Sequence, residues 1–394
     1  MKNTCKNDKL SREIFGQTSV KKDKVPILIV DLAKHYGGAE VRVFDLAKAF
    51  HGNCQYSVAT LIDSPLHKRL KAANLVALPV PYSRGDPRLL YFLFCVIRRG
   101  RYQVVDAHNP QSQFWGLLAA KLAKTAVKVS TVHSAYKFEH EGSLKGRAYE
   151  FVLRLNALWG CNFIAVSESI VTYLQKNGIS PKKINLIHNS LSIPTPTTPR
   201  SELPLLQSLG WGKEACIVIV VARLEPVKGH AIFIEAFRKV AKELPQLRGL
   251  IVGEGRLCSE LDAQIKRFNL NDRVYLTGYR DDVPSLLSAC DIFCLPSFSE
   301  GLPYALLEAC AYKLPLVVTR VGGMADLLTH KQTAYFVPPS DSEALAAALR
   351  WLINSPKEAS QLGQAAFSWL QHHVNPEEMI TKTLAVYDVQ TTSV

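Results

Sequence analysis

The amino-acid sequence predicts an α/β protein made of two Rossmann-like domains that face each other across a cleft. Segments with the pattern of buried strands alternate with amphipathic helical segments nearly throughout the chain, as in parallel sheets built from right-handed βαβ units. The 394 residues exceed the roughly 250–300 at which a single hydrophobic core stops growing. Residues 193–200 contain three prolines, which is typical of a semi-rigid linker, and they separate two series of strands.

The elements follow one another in a regular order. The first series of strands is predicted at 25–30, 56–61, 104–106, 127–131, 163–166 and 184–187. The second series is predicted at 217–222, 250–252, 274–276, 292–295 and 316–319. Helical patterns lie at 39–50, 112–124, 230–243 and 257–268, and three more follow at 341–353, 357–372 and 377–389. The resulting domains are a flexible basic tail (1–24), a first domain (25–195), a second domain (196–375) and a helix (376–394) that crosses back to the first domain.

The composition is that of an ordinary soluble globular protein, with 47% apolar and 21% charged residues. Apolar runs such as 91–97 and 216–222 are far shorter than the roughly 20 residues that a membrane-spanning helix needs. Residues 1–24 lack the apolar segment of a signal peptide. The nine cysteines include no Cys-x-x-Cys pair, so we expect a reduced, cytoplasmic protein without a disulfide framework or a metal site.

The positive charge is concentrated in the first half of the chain. The net charge is +13, and residues 1–195 hold 28 basic against 13 acidic residues. This asymmetry suggests an anionic partner for the first domain. Arginines 84, 88, 98, 99 and 101 surround the apolar stretch 89–97, which could lie on a membrane surface, although a core-packed helix with a basic end explains the pattern equally well. No nucleic-acid-binding motif accompanies the charge, so we expect no nucleic-acid partner.

Candidate functional residues follow the strands of the first domain. In open α/β sheets, ligands bind beyond the carboxyl ends of the strands. Gly37 and Gly38 follow the first strand and open a helix, where the backbone can approach a ligand and the helix N-terminus favours phosphate; a plain turn is the alternative. His133 follows the strand at 127–131, and His108 is a weaker companion after the preceding strand. A structural role for His133 is an equally good interpretation.

The loops of the second domain carry cations and glycines. Arg223 and Lys228 lie five residues apart after the first strand of this domain, so both can turn toward one diphosphate and neutralise the charge on a leaving nucleotide. Gly253 and the segment from Gly278 through Tyr279 to Arg280 lie at the ends of later strands, where they can line a pocket for a nucleobase.

The segment from Glu300 to Ala309 is the most informative part of the chain. It follows a buried-strand pattern and leads into a predicted helix whose first turn contains Pro303. Glu300 precedes the helix and Glu308 lies inside it, and eight helical positions span about 12 Å. That is about the reach of a nucleoside diphosphate-sugar, and the free N–H groups of the helix start favour phosphate. The alternative interpretation is structural: Glu300 would be an ordinary helix cap, and Glu308 would lie on a solvated helix face.

Four motifs in this order resemble the GT-B glycosyltransferases of the large retaining family four. They are Gly37-Gly38-Ala39-Glu40, Val221-Ala222-Arg223-Leu224 with Lys228-Gly229, Val252-Gly253-Glu254-Gly255, and the Glu-x7-Glu element from Glu300 to Glu308. The resemblance covers about residues 25–390. It implies transfer of a sugar from a nucleotide-sugar donor to an acceptor with retained anomeric configuration, usually without a bound metal, and no cofactor is expected.

The resemblance also implies a role for each matching residue. Arg223 and Lys228 would hold the diphosphate, Glu308 the ribose hydroxyls, and Glu300 the donor sugar, with His133 beside that sugar. The expected catalytic residues are therefore His133, Arg223, Lys228 and Glu300. The expected donor-binding residues are Gly37, Gly38, Arg223, Lys228, Gly253, Gly278, Tyr279, Arg280, Glu300, Gly301, Leu302, Pro303 and Glu308.

Two positions depart from the family pattern. Asn189-Ser190-Leu191-Ser192 stands where the family often has Asn-Gly-Val-Asp, and Asp326 stands where glutamate is usual. Neither change touches the expected catalytic residues. We therefore expect an active hexosyltransferase that acts on a lipopolysaccharide, polysaccharide or glycolipid acceptor, in the cytoplasm or on the cytoplasmic face of the membrane. An inactive nucleotide-sugar-binding protein and a GT-B sugar-nucleotide epimerase are the alternatives.

Overall fold

The computed structural model describes residues 25–139, 144–192 and 199–387. The predicted basic tail, most of the proline-rich linker and the end of the last predicted helix lie outside these ranges. The described residues contain the two predicted domains and the segment that connects the second domain back to the first.

Each domain is built on one parallel sheet. The strands of the first domain are β1 Pro26–Asp31, β2 Gln55–Leu61, β3 Ala77–Val80, β4 Val104–His108, β5 Val127–Val132, β6 Asn162–Ala165 and β7 Ile184–Leu186. Those of the second are β8 Cys216–Val221, β9 Leu247–Val252, β10 Val274–Leu276, β11 Ile292–Leu295, β12 Leu316–Thr319 and β13 Tyr335–Val337. Within the described ranges, the strand orders are β3-β2-β1-β4-β5-β6-β7 and β10-β9-β8-β11-β12-β13. The predicted fold class is confirmed.

Helices connect the strands and cover the sheets. In the first domain they are α1 Gly38–Phe50, α2 Pro65–Ala72, α3 Arg88–Arg99, α4 Pro110–Leu122, α5 Tyr136–Glu139, α6 Leu144–Leu158 and α7 Glu168–Lys176. In the second they are α8 Pro204–Ser208, α9 His230–Ala241, α10 Cys258–Arg267, α11 Val283–Ala289, α12 Tyr304–Ala311, α13 Gly322–Leu327, α14 Ser342–Asn354, α15 Pro356–His373 and α16 Pro376–Val386. No helix in the described part of the chain is long and apolar enough to cross a membrane.

Two strands were not predicted, and both lie at the edge of a sheet. β3 contains Pro79, which cannot donate a ladder hydrogen bond and therefore weakens the strand pattern. β13 has three residues, too few for a pattern of its own. The position of a partner strand, rather than local sequence, decides such elements.

The order of each sheet reverses at one point, between β1 and β4 in the first domain and between β8 and β11 in the second. At these points the helices leave on opposite faces of the sheet, and a crevice opens beyond the carboxyl ends of the strands. The loops that follow these four strands therefore form the natural ligand site of each domain.

Helix α16 lies against the first domain, although the helices before it cover the second. Met379 and Leu384 of α16 and the adjacent Tyr387 join a buried cluster with Ile29 of β1 and Val43 of α1. Leu384 is 6% exposed and Tyr387 1% exposed. The chain therefore connects the two domains a second time, and the core of the first domain includes residues from both ends of the described chain.

Candidate active site

Two loops meet where the strand order of the second sheet reverses. The loop after β8 carries Lys228, and the loop after β11 carries Ser297 and Glu300. The Lys228 ammonium donates to both carboxylate oxygens of Glu300, over 2.7 and 2.9 Å. Ser297 Oγ donates to Glu300 Oε1 over 2.6 Å. Lys228 and Glu300 are therefore directly paired, and Glu300 is only 7% exposed.

Two glycines allow this close approach of the loops. Gly229 has φ +68°, and a Cβ atom there would collide with the carbonyl oxygen of Pro296. Gly322, at the start of α13, has φ +52°, and a Cβ atom there would collide with the carbonyl oxygen of Glu300. A side chain at either position would strain the backbone and push the loops apart. The pairing of Lys228 with Glu300 thus depends on both glycines.

Arg223 and the predicted nucleobase residues line the neighbouring strand ends. Arg223 is exposed and lies in the same loop as Lys228. The backbone N–H of Gly253 donates to the carbonyl oxygen of Gly278 over 2.9 Å, which joins the ends of β9 and β10. The Arg280 guanidinium donates to both oxygens of Asp282, over 2.8 and 2.6 Å. The Arg280 side chain is therefore held by a neighbour two residues away.

Arg69 of the first domain reaches the predicted nucleobase pocket. It extends from α2, donates to Tyr279 Oη over 2.9 Å, and also bonds the Asp281 carboxylate. Its guanidinium carbon lies 4.3 Å from the ring centroid of Tyr36. This cluster joins the two domains at one rim of the cleft, beside the strand end that carries Gly278.

Glu308 lies on α12 and faces the first domain. Burial, followed by repulsion from Asp45 of α1, raises the pKa of Glu308 to about 7. Burial likewise raises the pKa of Asp45 to about 6, although Lys48 and Arg42 oppose the shift. The half-buried Asp45 of the first domain therefore lies close enough to Glu308 of the second to disfavour the ionised form of Glu308. Glu308 is not the solvated glutamate of the alternative interpretation.

Helix α12 begins one residue later than predicted. Pro303 has extended backbone, with ψ 131°, and caps the helix, which starts at Tyr304. The prediction that Pro303 lies in the first turn is therefore wrong, because the extended backbone of the preceding loop continues through Pro303. Tyr304 is 4% exposed, and a Cβ atom at Gly38 would lie 3.3 Å from its ring. The Gly37-Gly38 turn, whose Gly37 N–H donates to Glu40 over 2.7 Å, therefore lies over the start of α12.

His133 lies where the two domains touch. A Cβ atom at Gly301 would collide with the carbonyl oxygen of His133, so the backbones of the two loops are in direct contact. His133 Nε2 lies 2.9 Å from His108 Nδ1. Burial lowers the pKa of His133 well below its usual value, and the nearby His108 and Arg42 lower it further, so the imidazole is neutral.

A buried arginine of the first domain holds a residue that contacts the second domain. Arg42 of α1 is fully buried and donates to the carbonyl oxygen of Ile187 over 3.1 Å and to Asn189 Oδ1 over 3.1 Å. Asn189 Nδ2 in turn donates to the carbonyl oxygen of Leu302 over 2.7 Å. Arg42 thus orients an amide that holds the loop between Glu300 and α12.

Two family models match the chain, one for each domain. The model described as Glycosyltransferase Family 4 matches residues 36–193, and the model described as Glycosyl transferases group 1 matches residues 204–369. The chain belongs to the family 4 glycosyltransferases. The enzyme class predicted from the sequence is therefore confirmed.

Individual relatives agree with this assignment. The glycosyltransferase is 28% identical over 271 residues to UDP-Gal:alpha-D-GlcNAc-diphosphoundecaprenol alpha-1,3-galactosyltransferase of Escherichia coli, covering 67% of this chain and 70% of the relative. It is 26% identical to N,N'-diacetylbacillosaminyl-diphospho-undecaprenol alpha-1,3-N-acetylgalactosaminyltransferase of Campylobacter jejuni, and the match covers 72% of this chain and 77% of the relative. Anabaena Alr3699/HepE in complex with UDP and glucose superposes with a TM-score of 0.81 at 23% identity, covering 92% of this chain and 99% of that one. The fold is GT-B.

Several residues of the glycosyltransferase site were missed from the sequence. Ser297 contacts Glu300, Asp45 faces Glu308, and Arg42 holds Asn189, which contacts Leu302. None of the three was predicted. Arg42 and Asp45 lie three residues apart on α1 beside the buried Val43 and Leu46, and charged residues within an apolar helix face are a usable signal. Ser297 carries no such signal, because a serine after a strand is common in any loop.

Asp326, one of the departures from the family pattern, has a structural role. Asp326 Oδ2 accepts a hydrogen bond from the backbone N–H of Ser169, at the start of α7, over 2.9 Å. Asp326 therefore caps a helix of the other domain. Asn189, the residue that the altered segment retains, makes the interdomain bond to Leu302.

No group of three or more His, Cys, Asp or Glu side chains within the described ranges is arranged to hold a metal ion. The cationic groups at the switch point of the second sheet are Arg223 and Lys228. Both side chains are of the kind that binds phosphate groups in proteins.

Proposed function

We propose that this enzyme transfers a hexosyl unit from a nucleotide-sugar to a lipid-linked glycan acceptor, with retention of the anomeric configuration, in the synthesis of a cell-surface polysaccharide or lipopolysaccharide. The observation that carries the proposal is the Lys228–Glu300 pair at the switch point of the second sheet, facing the first domain. The names of the relatives from E. coli and C. jejuni, which specify diphosphoundecaprenol-linked sugars, support the acceptor class.

Lys228 has the geometry to bind the donor diphosphate. Its ammonium has three N–H donors, and Glu300 orients it through contacts of 2.7 and 2.9 Å. A hydrogen remains for a phosphate oxygen, and exposed Arg223 supplies a second cation from the same loop. Charge that develops on the leaving diphosphate would be stabilised by these two groups. We expect turnover without an added divalent metal ion, because the cations are built into the loop.

Glu308 is suited to the ribose of the donor. An ionised carboxylate can accept hydrogen bonds from both ribose hydroxyls, whereas a protonated one offers less acceptor capacity. The pKa of about 7 places the change between these forms within the range of an ordinary assay. Donor binding would favour the ionised form and would lower that pKa.

Retention requires that the acceptor hydroxyl attack the anomeric carbon from the face that the diphosphate leaves. The bond from the anomeric carbon to the phosphate oxygen breaks, the bond to the acceptor oxygen forms, and the hydroxyl proton passes to the departing phosphate. A double displacement would need a free carboxylate nucleophile. Glu300 already accepts hydrogen bonds from Lys228 and Ser297, so it is better suited to holding Lys228 than to attacking the sugar.

The test is nucleotide release over a panel of nucleotide-sugars with a diphosphoundecaprenol-linked acceptor, read together with the anomeric configuration of the product. Lys228→Ala and Glu300→Ala should each lower kcat/KM by at least 100-fold, whereas Lys213→Ala, an exposed lysine before β8, should not. Unchanged turnover in both site variants would refute the assignment. Epimerised donor without acceptor would support the epimerase alternative, and donor binding without turnover the inactive one.

We also propose that the first domain rests on an anionic lipid bilayer. In α3, Leu89 and Leu93 are buried in the core while Tyr91 is 73% exposed. In α6, five of the exposed residues form a stripe at helical spacing in which three apolar side chains alternate with two arginines: Leu144, Arg147, Phe151, Arg154 and Leu158. Both helices pack against α4, so they belong to one layer of the domain. Exposed apolar groups interleaved with arginines favour an anionic membrane surface.

Flotation with vesicles of phosphatidylglycerol and phosphatidylethanolamine tests this surface. We expect binding that falls with salt and is lost on charge reversal of Arg98, Arg99 and Arg101, or of Arg147 and Arg154. Charge reversal of Lys213 in the second domain is the matched control. Vesicle binding that survives both sets of reversals would exclude the proposed surface.

A further inference from the structure

Arg84 lies in the loop between β3 and α3, and it is the half-buried member of the five arginines that flank the apolar stretch 89–97. The other four are exposed. Its neighbour Arg88 is paired, because the Arg88 guanidinium donates to both oxygens of Asp86 over 2.7–3.1 Å. Within the described ranges, no residue gives the Arg84 guanidinium a hydrogen bond or an ion pair. Arg84 is therefore a partly buried cation whose charge no direct contact balances.

Partial burial makes such a cation a suitable place for an anionic ligand. A charged group that leaves water loses hydration, which a counter-charge or a hydrogen-bond acceptor must replace. The backbone is held at this point, because Trp115 Nε1 of α4 donates to the carbonyl oxygen of Arg84 over 2.8 Å. The guanidinium carries five N–H donors in a planar fork, which fits two oxygens of a phosphate group. A phosphate would therefore supply the contacts that the described chain does not.

On one side, Arg84 lies at the crevice of the first sheet. Asp31 ends β1, at the point where the order of the strands reverses. Burial and repulsion from Glu40 raise the pKa of Asp31 well above its usual value, and attraction from Arg84 is among the effects that oppose this shift. Arg84 is therefore within electrostatic reach of Asp31, at the edge of the sheet whose loops contact the second domain.

On the other side, the chain continues from Arg84 into the apolar face of α3. An apolar groove begins at this end of α3, and it is lined by Pro87, Leu90, Tyr91, Phe94 and Leu122. Three residues of chain span at most about 11 Å, so the groove begins close to Arg84. The first domain thus presents an apolar groove, a cation and a polar crevice in succession. A prenyl chain, a diphosphate and a sugar follow one another in the same order in a diphosphoprenol-linked sugar.

We propose that Arg84 binds the diphosphate of the lipid-linked acceptor, with the prenyl chain toward the groove and the acceptor sugar toward Asp31. The proposal rests on the proposed function, because it concerns the acceptor of the same reaction. It assigns the two diphosphates of the reaction to different domains: the donor diphosphate to Arg223 and Lys228 of the second domain, and the acceptor diphosphate to Arg84 of the first. Arg84 binds the acceptor and takes no part in breaking or forming the glycosidic bond.

The test measures transfer by the full-length enzyme in a neutral detergent, with two acceptors that carry the same sugar and the same short prenyl chain. One acceptor contains a diphosphate, and the other is joined by a plain glycosidic bond. Arg84→Gln should raise the KM of the diphosphate acceptor by about 10–100-fold, the range of a charged hydrogen bond. The KM of the phosphate-free acceptor, the KM of the donor and the rate of donor hydrolysis without acceptor should stay within twofold. Unchanged KM for the diphosphate acceptor, or an equal rise for both acceptors or for the donor, would overturn the proposal.

The matched control is Lys182→Gln, which removes an exposed cation before β7, at the opposite edge of the same sheet, and should leave every constant within twofold. The melting temperature of Arg84→Gln should equal that of the wild type, because the guanidinium holds no described residue in place. Weaker binding to anionic vesicles with an unchanged acceptor KM would assign Arg84 to lipid headgroups and overturn the proposal. Absence of wild-type transfer to any lipid-linked acceptor would refute the proposed function itself, whereas wild-type transfer that Arg84→Gln leaves unchanged overturns only this inference.

Discussion

Replacing Glu308 by glutamine should stabilise the free enzyme at alkaline pH and weaken its binding of the donor. The pKa of Glu308 is raised from an ordinary value of 4.5 to about 7, chiefly by burial and secondly by Asp45. The folded state therefore binds this proton more tightly than the unfolded state does. The stability of the wild type should fall as the pH rises from about 4.5 to 7, because the folded protein must then carry a charge that its surroundings disfavour.

The size of the effect follows from the shift. One pKa unit corresponds to about 1.4 kcal/mol, so the full shift corresponds to about 3 kcal/mol above pH 7 and to almost nothing below pH 4.5. Glutamine has nearly the same shape and no charge, so Glu308→Gln should raise the free energy of unfolding by about 1–3 kcal/mol at pH 8, allowing for partial solvation. At pH 4.5 the gain should vanish.

Urea denaturation at the two pH values measures this difference, and Glu214→Gln, an exposed glutamate before β8, is the matched control. Loss of a charged acceptor for the ribose should raise the dissociation constant of the nucleotide-sugar by about 10–100-fold, from the 1.5–3 kcal/mol of a charged hydrogen bond. In the wild type, donor affinity should fall as the pH drops through about 7. A gain in stability that is equal at both pH values, or unaltered donor affinity, would refute the reasoning.

Three further substitutions test the residues that hold the loops around this site. Lys228→Met should lower the free energy of unfolding by about 2–4 kcal/mol, because Glu300 would keep a buried charge without its partner; equal thermal stability would contradict this. Gly322→Ala should lower both the melting temperature and nucleotide release, since φ is +52° and the Cβ would strike the Glu300 carbonyl; a fully active, equally stable variant would contradict the close approach. Arg42→Met should lower the free energy of unfolding, measured by calorimetry, by about 3 kcal/mol, because Asn189 and a backbone carbonyl lose a fully buried donor. Arg84→Met, which changes a half-buried arginine, is the control.

The arrangement of the strands and the loops could be predicted because it depends on local patterns. Buried apolar runs mark the central strands, and parallel pairing then brings the loops after β8 and β11 to the same edge of the sheet. Lys228 and Glu300 could therefore be assigned to one region, although they lie 72 positions apart. Their direct pairing could not, because side-chain contacts depend on backbone details such as the left-handed conformation of Gly229.

Contacts between the domains could not be predicted from the sequence. Whether Asp45 faces Glu308, or Asn189 reaches Leu302, depends on how two separately formed sheets are oriented, and no local periodicity encodes that orientation. The same holds for Tyr387, whose partner Asp106 lies 281 positions earlier in the chain. His133 was recognisable as a residue at a strand end, but its contact with His108 was not predicted.

The return of α16 to the first domain affects how the protein is made. Met379, Leu384 and Tyr387 complete a core whose other members, from Ile27 to Ile187, are synthesised roughly 200 to 350 residues earlier. At about 5–20 residues per second, a ribosome needs roughly 10–40 s to reach them after the first sheet has emerged. During that interval, the nascent first domain would expose the apolar groove that α16 later fills, so we expect chaperones to bind the nascent chain there and release it only when synthesis is nearly finished.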